Sequence, residues 1–368
     1  MKARRLTARD FRNLRDVTVP LEDGVNILYG ENAQGKTNFL EGLWLFTGGR
    51  SFRGARDAEM VAFGAESAAL TLNFFAAERE QTAAVTVDRR RTVTLNGVKL
   101  PSPARLAGRF CGVVFSPAHL SLIKDGPEGR RRFVDAALCQ IRPGYLKDFS
   151  VYARTLHQRN ALLKEGLAAG VAVPDAILDV WDERLARAGA AVFEARRRYW
   201  RQLAPLAAEI YAGLSASREE LSVAYRSRAG DDDATTEQAA GRLLEGLRER
   251  RAADGVVGYT TGGVHRDDLE VAIDGKPARI YGSQGQQRSA VLALKLAEAA
   301  LLRQETGEAP VMLLDDVMSE LDLSRQDYIL NHIHGWQVVI TCCDPAPIRR
   351  LTAGAAFEVA GGTIERRE

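Results

Sequence analysis

The stretch GENAQGKT, Gly30 to Thr37, constrains this chain more tightly than any other feature. It fits G-x-x-x-x-G-K-[ST], and its flanks fit as well. The apolar run VNILY before it reads as a buried strand, and KTNFLEGLWLF after it reads as a helix. Gly30 and Gly35 let the backbone curl until its N–H groups face a phosphate, and the helix N-terminus adds a favourable dipole. Glu31, Asn32, Ala33 and Gln34 form the loop between the glycines, and Asn38 follows on the helix. Lys36 is placed to bridge the β- and γ-phosphates of a nucleotide, and the Thr37 hydroxyl to take a position at Mg²⁺. Such a loop demands an α/β fold.

VMLLDD supplies the other half of such a site. Val311 to Leu314 form an apolar run of the buried-strand type whose end delivers two carboxylates. Asp315 is expected to hold Mg²⁺, directly or through water, and Asp316 to orient and polarise an attacking water.

A third stretch, YGSQGQQRS at residues 281–289, opens the helical pattern AVLALKLAEAALL. A surface turn is the plain reading. The alternative uses the serine hydroxyl and the free N–H groups of a helix start as a second γ-phosphate receptor. Around an ATP in the same chain the P-loop already occupies that space. The turn is then expected to cap the ATP of a second subunit, so that a two-fold dimer sandwiches two ATP molecules.

Elsewhere the first third reads mostly as strands: KARRLTARDF, AALTLNFFA, AAVTVD, and TVTLNGVKL with a turn at Asn96–Gly97. From about Pro117 the period becomes helical. RRRFVDAALCQI carries an apolar stripe, and DAILDVWDERLARAGAAVFEARRRYW predicts a helix of ~25 residues, with Pro205 expected to bend or end it. GDDDATTEQ reads as an acidic loop before a helix start, and strand signals return from about Val256, where LEVAIDGKPARI predicts a hairpin turning at Asp274–Gly275. The expected organisation is an N-terminal head segment (1–116), a helical insertion or arm (117–254) and a C-terminal head segment (255–368).

Composition excludes several classes. No run approaches the ~18 apolar residues of a membrane span, and MKARRLTARDFRNL lacks the apolar core of a signal peptide, so a cytoplasmic protein with no membrane partner is expected. Cys111, Cys139, Cys342 and Cys343 show no metal-type spacing. Net charge is only +2, but residues 129–164 carry a net +6, leaving −4 for the rest. Arg130, Arg131 and Arg132 there, and Arg196, Arg197 and Arg198 in EARRRYWR, admit two readings. They either track DNA phosphates or serve as internal ion pairs and solvated helix faces. His265, Arg266, Asp267 and Asp268 read as a structural or dimer-seam network.

GENAQGKT, GSQGQ, VMLLDD and the SELD that follows it (Ser319–Asp322) together look like an ABC-type ATPase head, a P-loop mixed sheet with helices. With DFRNL, FSPAHLSLIKDGPEGRRRFVD and GGVHRDDLE added, the chain resembles the RecF family of the structural-maintenance-of-chromosomes (SMC) group. The resemblance spans nearly the whole sequence. It implies ATP and Mg²⁺ as cofactors, Asp316 as the hydrolytic carboxylate, and Lys36 at the phosphates. It further implies Ser283, Gly285 and Gln286 as the signature that acts on the partner's ATP, Ser283, Gln284 and Asp322 at a dimer seam, and Arg12 and Asn13 of FRNL near the nucleotide, where a polar turn is the equal alternative. The implied function is an ATP-dependent DNA clamp at duplex and gapped DNA, independent of base sequence. With RecR and RecO it would promote RecA loading in recombinational and gap repair.

This sequence departs from the wider ATPase pattern in several places. The signature's first glycine is Gln284, the second carboxylate is Asp316 in place of Glu, and Thr341 in VVITCCDP stands where a switch histidine is usual. Slow, DNA-dependent hydrolysis is the expectation. Two rivals are an SMC-like structural head and a transporter-type ABC subunit, and the basic helical insertion argues against the latter.

Overall fold

The computed structural model describes residues 1–230, 233–318 and 321–367. In chain order the first elements are β1 (Lys2–Phe11), β2 (Leu14–Pro20), β3 (Val25–Tyr29), α1 (Lys36–Leu45), β4 (Ala68–Ala76), β5 (Arg79–Val87), β6 (Arg91–Leu95), β7 (Val98–Lys99) and β8 (Gly112–Phe115). A helical stretch follows: α2 (Ser121–Lys124), α3 (Pro127–Ile141), α4 (Tyr145–Ala169) and α5 (Asp175–Ser215), then β9 (Leu221–Arg226), α6 (Thr236–Glu249) and α7 (Arg251–Val257). The chain closes with β10 (Asp268–Ile273), β11 (Lys276–Pro277), α8 (Ala278–Tyr281), α9 (Gln284–Thr306), β12 (Val311–Asp315), α10 (Leu323–His332), β13 (Val338–Cys342), α11 (Ala346–Leu351), β14 (Gly354–Ala360) and β15 (Thr363–Arg367).

These elements form two units. The first comprises 1–121, 209–219 and 287–368, and the second 122–208 and 220–286. The division differs from the boundaries read from the sequence: residues 255–286 group with the helical segment because β10 pairs along its length with β9.

The first unit holds two six-stranded sheets, ordered β2-β1-β4-β5-β6-β7 and β15-β14-β3-β13-β12-β8. The former is antiparallel, and its strands alternate buried and exposed residues as a half-solvated sheet requires. In the latter, β14, β3, β13, β12 and β8 run parallel. Apart from Asp315 and Thr341, its central strands are apolar because both faces are covered: all five residues of β12 and of β13 are buried. Helix α1 packs on β1 as well as on β12 and β13, so it is buried over most of its length, with Phe39, Leu40 and Leu43 fully buried.

The second unit combines helices with the short antiparallel sheet β11-β10-β9. The β10–β11 turn has Asp274 and Gly275 at φ 49° and 71°, the two left-handed residues that a type I′ turn needs. Thr235 caps α6 in a reciprocal box with Gln238, as the acidic stretch predicted, while Asp231 and Asp232 lie outside the described residues.

Helix α5 departs from expectation. It runs 41 residues and continues through Pro205. Proline inside a helix costs about 3 kcal/mol. Burial of Tyr199, Trp200, Leu203, Ala207, Ile210 and Tyr211 along the same stretch offsets that cost. Strands β2, β9, β14 and β15 were also not evident in the sequence. Among the described residues, no helix is long and apolar enough to cross a membrane.

Candidate nucleotide site

The P-loop leaves the C-terminal end of β3 and enters α1 at Lys36. Gly30 lies at φ 149°, and a Cβ there would fall 2.3 Å from the Val359 carbonyl oxygen of β14. Gly35 lies at φ 124°, where a Cβ would meet Asn13 Oδ1 at 2.8 Å. Neither position admits a side chain, so the glycines serve both curl and close packing. Lys36 is buried, and its Nζ donates to the carbonyls of Gly30 (2.5 Å) and Glu31 (2.7 Å), folding the ammonium back over the loop.

Two outside elements brace this loop. From the β1–β2 turn, Asn13 Nδ2 donates to the Gln34 carbonyl at 2.9 Å, and Asn13 Oδ1 accepts from Asn38 at 2.8 Å. From the β14–β15 turn, the Gly361 N–H donates to Gln34 Oε1 at 2.7 Å and the Gly362 N–H to the Gln34 carbonyl at 3.1 Å. Asn32 Oδ1 accepts from the Cys343 thiol at 3.3 Å. Arg12 forks onto the fully buried Glu41 at 2.9 and 3.0 Å, and Arg53 donates to Asn38 Oδ1 at 2.8 Å. Arg12 and Asn13 of FRNL thus brace the P-loop and α1.

The carboxylates lie at the end of β12, beside α1 and β13. Asp315 Oδ1 accepts from the Thr37 hydroxyl at 2.8 Å and from the Thr341 hydroxyl at 2.9 Å. Burial pushes the Asp315 carboxyl above its ordinary pKa, against the two hydroxyls that favour its ionised form; neighbouring Asp316 adds to the rise. The Asp316 N–H donates to Thr341 Oγ1 at 2.9 Å, and Asp316 takes the left-handed φ of 51°. Thr37 and Asp315 thus offer adjacent hard oxygen donors, which suit Mg²⁺.

In the second unit, Ser283 and Gln286 form a capping box at the start of α9. The Gln286 N–H donates to Ser283 Oγ at 3.2 Å and the Ser283 N–H to Gln286 Oε1 at 2.8 Å. Ser283, Gln284 and Gly285 are exposed. In the first unit, Asp322 caps α10, accepting the Arg325 N–H at 2.9 Å and pairing its guanidinium at 2.6 Å, which holds its carboxyl below the usual range. Ser319 and Glu320 of SELD lie outside the described residues.

The six arginines considered for DNA divide sharply. Arg130, Arg196 and Arg197 are buried, which corrects their assignment to phosphates. Arg130 forks onto Asp268 at 2.7 and 2.9 Å, Arg196 forks onto Asp135 at 2.8 and 2.9 Å, and Arg197 donates to the Ala234 carbonyl at 2.7 Å. Each is committed to holding its own unit together. Arg131 donates to the Asp267 carbonyl at 2.7 Å. Arg132 and Arg198 are exposed, Arg132 carrying only a surface pair with Glu128. His265 bonds Tyr152 at 2.7 Å and Asp267 accepts from Tyr225 at 2.5 Å, so HRDD is an internal network of the second unit.

Sequence reasoning missed Glu41, the second role of Gln34, and the bond that gives Thr341 its place. Each depends on a partner remote in sequence, and only the departure of Thr341 from the histidine pattern gave a signal.

The family model described as "RecF/RecN/SMC N terminal domain" matches residues 2–353. DNA replication and repair protein RecF of Ruminiclostridium cellulolyticum is 37% identical over 99% of this chain and 99% of its own length. The RecF of a Synechococcus strain is 42% identical over 88% of this chain and 86% of its own. A solved structure of the recombination mediator protein RecF with ATP, in the RecFOR pathway, is 34% identical, covering 100% of this chain and 98% of that one, with a TM-score of 0.93. An SMC head structure shares the fold at 14% identity, covering 100% of this chain and 97% of that one, with a TM-score of 0.58. A match across both the P-loop half and the carboxylate half, at full length and in the same ABC-ATPase-like architecture, leaves one conclusion: the chain belongs to the RecF family.

Proposed function

We propose that this protein is an ATP-dependent DNA-binding protein of recombinational and replication-gap repair, a switch that dimerises around two ATP molecules. The observation that carries the reading is the convergence of the Thr37 and Thr341 hydroxyls on Asp315, one residue from Lys36 along α1 and one from Asp316 along the carboxylate strand. Lys36 exchanges its two carbonyl partners for phosphate oxygens, and the curled N–H groups between Gly30 and Gly35 receive the β-phosphate. Thr37 and Asp315 would hold Mg²⁺, which would supply neutralisation of the phosphate charge. Asp316 orients the attacking water and accepts its proton. As Asp is one methylene shorter than Glu, and a misplacement of ~1 Å costs about 10²-fold, hydrolysis is slow and suits a switch.

Ser283, Gly285 and Gln286 cap the ATP of a second copy, with Gln284 and Asp322 at the same seam; the exposure of the Ser283 turn supports this role. Dimerised on duplex or gapped DNA without base reading, the protein acts with RecR and RecO to promote RecA loading in the cytoplasm. The relatives named for DNA replication and repair, and the RecF structure assigned to the RecFOR pathway, support that part.

The test is solution mass, free and with ATP–Mg²⁺, using Asp316→Asn to slow hydrolysis and Ser283→Arg beside it. Mass that doubles only with ATP, and not in the Ser283 variant, supports the sandwich. A mass that stays constant even with DNA present overturns it.

A further inference from the structure

Thr341 places a hydroxyl on the fully buried strand β13. Val338, Val339 and Ile340 before it on β13 are fully buried, and so is Thr341. A hydroxyl at such a place is costly unless it is hydrogen-bonded. Both bonds of this one go to the carboxylate pair: its hydrogen goes to Asp315 Oδ1 at 2.9 Å, and its oxygen receives the Asp316 N–H at 2.9 Å. The parallel register sets Asp315 directly beside Thr341, so the contact is built into the sheet.

From this we infer that Thr341 is a positioning residue for ATP hydrolysis, a single hydroxyl that fixes the side chain of Asp315 and the backbone of Asp316 together. The inference rests on the ATPase reading above. Asp316 occupies the left-handed region at φ 51°, uncommon for a residue with a Cβ though more accessible to Asp than to most. The bond from its N–H to Thr341 Oγ1 is one constraint on it. The bond to Asp315 acts on the neighbouring carboxylate, where the Thr37 hydroxyl arrives at the same oxygen from α1 at 2.8 Å. Two hydroxyls from two elements thereby fix the rotation of one carboxylate, and one of them also anchors the next. Valine has the shape of threonine without either bond, and serine keeps both bonds without the methyl.

Thr341→Val and Thr341→Ser are compared with the wild-type chain in ATP turnover and in fluorescence titration with a labelled ATP analogue, each with and without Mg²⁺. Thr341→Val is expected to lower kcat by about 10²-fold, to leave metal-free nucleotide affinity unchanged, and to diminish the tightening that Mg²⁺ brings. Thr341→Ser restores kcat and the Mg²⁺ response. If Thr341→Val turns over and responds to Mg²⁺ like the wild type, the inference is overturned while the ATPase reading stands. If Thr341→Val loses metal-free binding and Thr341→Ser does not restore turnover, the side chain merely fills the strand. A wild-type chain that binds and hydrolyses no ATP overturns the ATPase reading itself, and this inference with it.

Discussion

Arg12 grips Glu41 through two parallel hydrogen bonds of 2.9 and 3.0 Å, joining the turn after β1 to the middle of the P-loop helix. Glu41 is fully buried, and Ser51 donates to the same carboxylate. Next to Arg12, Asn13 holds the Gln34 carbonyl. The pair therefore acts on two levels, as part of the core and as the mount for the phosphate loop. Removing one partner of a buried ion pair leaves the other uncompensated, at a cost of about 3 kcal/mol. Glu41→Ala is expected to lower the urea midpoint accordingly and to weaken nucleotide binding through the displaced turn. An unchanged midpoint would show that Arg12 finds adequate solvation elsewhere.

How far the sequence reveals this site depends on how local each signal is. The P-loop and the VMLLDD strand are legible because their residues act through contiguous backbone: curl, strand, helix start. The capping box of Ser283 and Gln286 is local too. Arg130 and Arg196 are not. Their spacing on amphipathic helices gives a basic cluster in the sequence, but their partners Asp268 and Asp135 lie 138 and 61 residues away. Charge counting along the chain cannot separate a guanidinium facing solvent from one facing such a carboxylate. The β14–β15 hairpin, which braces Gln34, was hidden for a similar reason: AAFEVA and TIERR are short, and the pairing of β14 with β3 supplies the stabilisation that their own pattern lacks.

The second unit has its own buried ion cluster. Arg159 is fully buried and donates to Asp182 at 2.7 Å and to Asp254 and Thr260 at 2.8 Å each. These contacts tie α4 to α5 and α7. Arg159→Ala deprives the buried Asp182 and Asp254 carboxylates of their shared guanidinium, although Arg251 still reaches Asp182 at 2.8 Å. A loss of roughly 3–5 kcal/mol is expected, read as a lowered unfolding midpoint of the second unit by circular dichroism. Arg159→Lys should recover only part of it, because an ammonium cannot reproduce the guanidinium fork. A midpoint equal to the wild type would argue against the cluster as a structural centre.

Acid sensitivity follows from two histidines kept neutral by the fold. Burial lowers His119 to about 3 and His265 to about 4, from an ordinary value of 6.5. Between those values the unfolded chain binds more protons than the folded one, so stability is full above about 6.5 and is lost as pH falls. From pH 6.5 to 5 the loss is roughly 2 kcal/mol per histidine. Asp267 works in the opposite direction. Burial raises it to about 6 from 3.8, so the folded state holds the extra proton and gains stability as pH falls from 6 toward 4. In the second unit His265 and Asp267 largely cancel, and in the first unit the raised carboxyls of Asp315 and Glu298 oppose His119. His119→Gln should flatten the fall in urea midpoint between pH 6.5 and 5, and Asp267→Asn should steepen it. Parallel curves for wild type and both variants would refute the assignment.

Burial also sorts the arginines by what their loss should do. Arg132 has 71% of its side chain exposed, and its pair with the equally open Glu128 is of the surface kind, worth about 0–1 kcal/mol. Arg198 is exposed as well. Both can turn to phosphates without dismantling anything, whereas Arg130 cannot leave Asp268 and the carbonyls of Leu122 and Asp125. If the exposed pair meets duplex DNA, each contact contributes about −0.9 to the slope of log K against log salt. The double change Arg132→Gln and Arg198→Gln should then make the slope shallower by roughly 1.8 and leave the unfolding midpoint alone. Arg130→Met should do the reverse, lowering the midpoint while the slope stays at the wild-type value. A double variant with the wild-type slope would place the DNA path on another face of the protein.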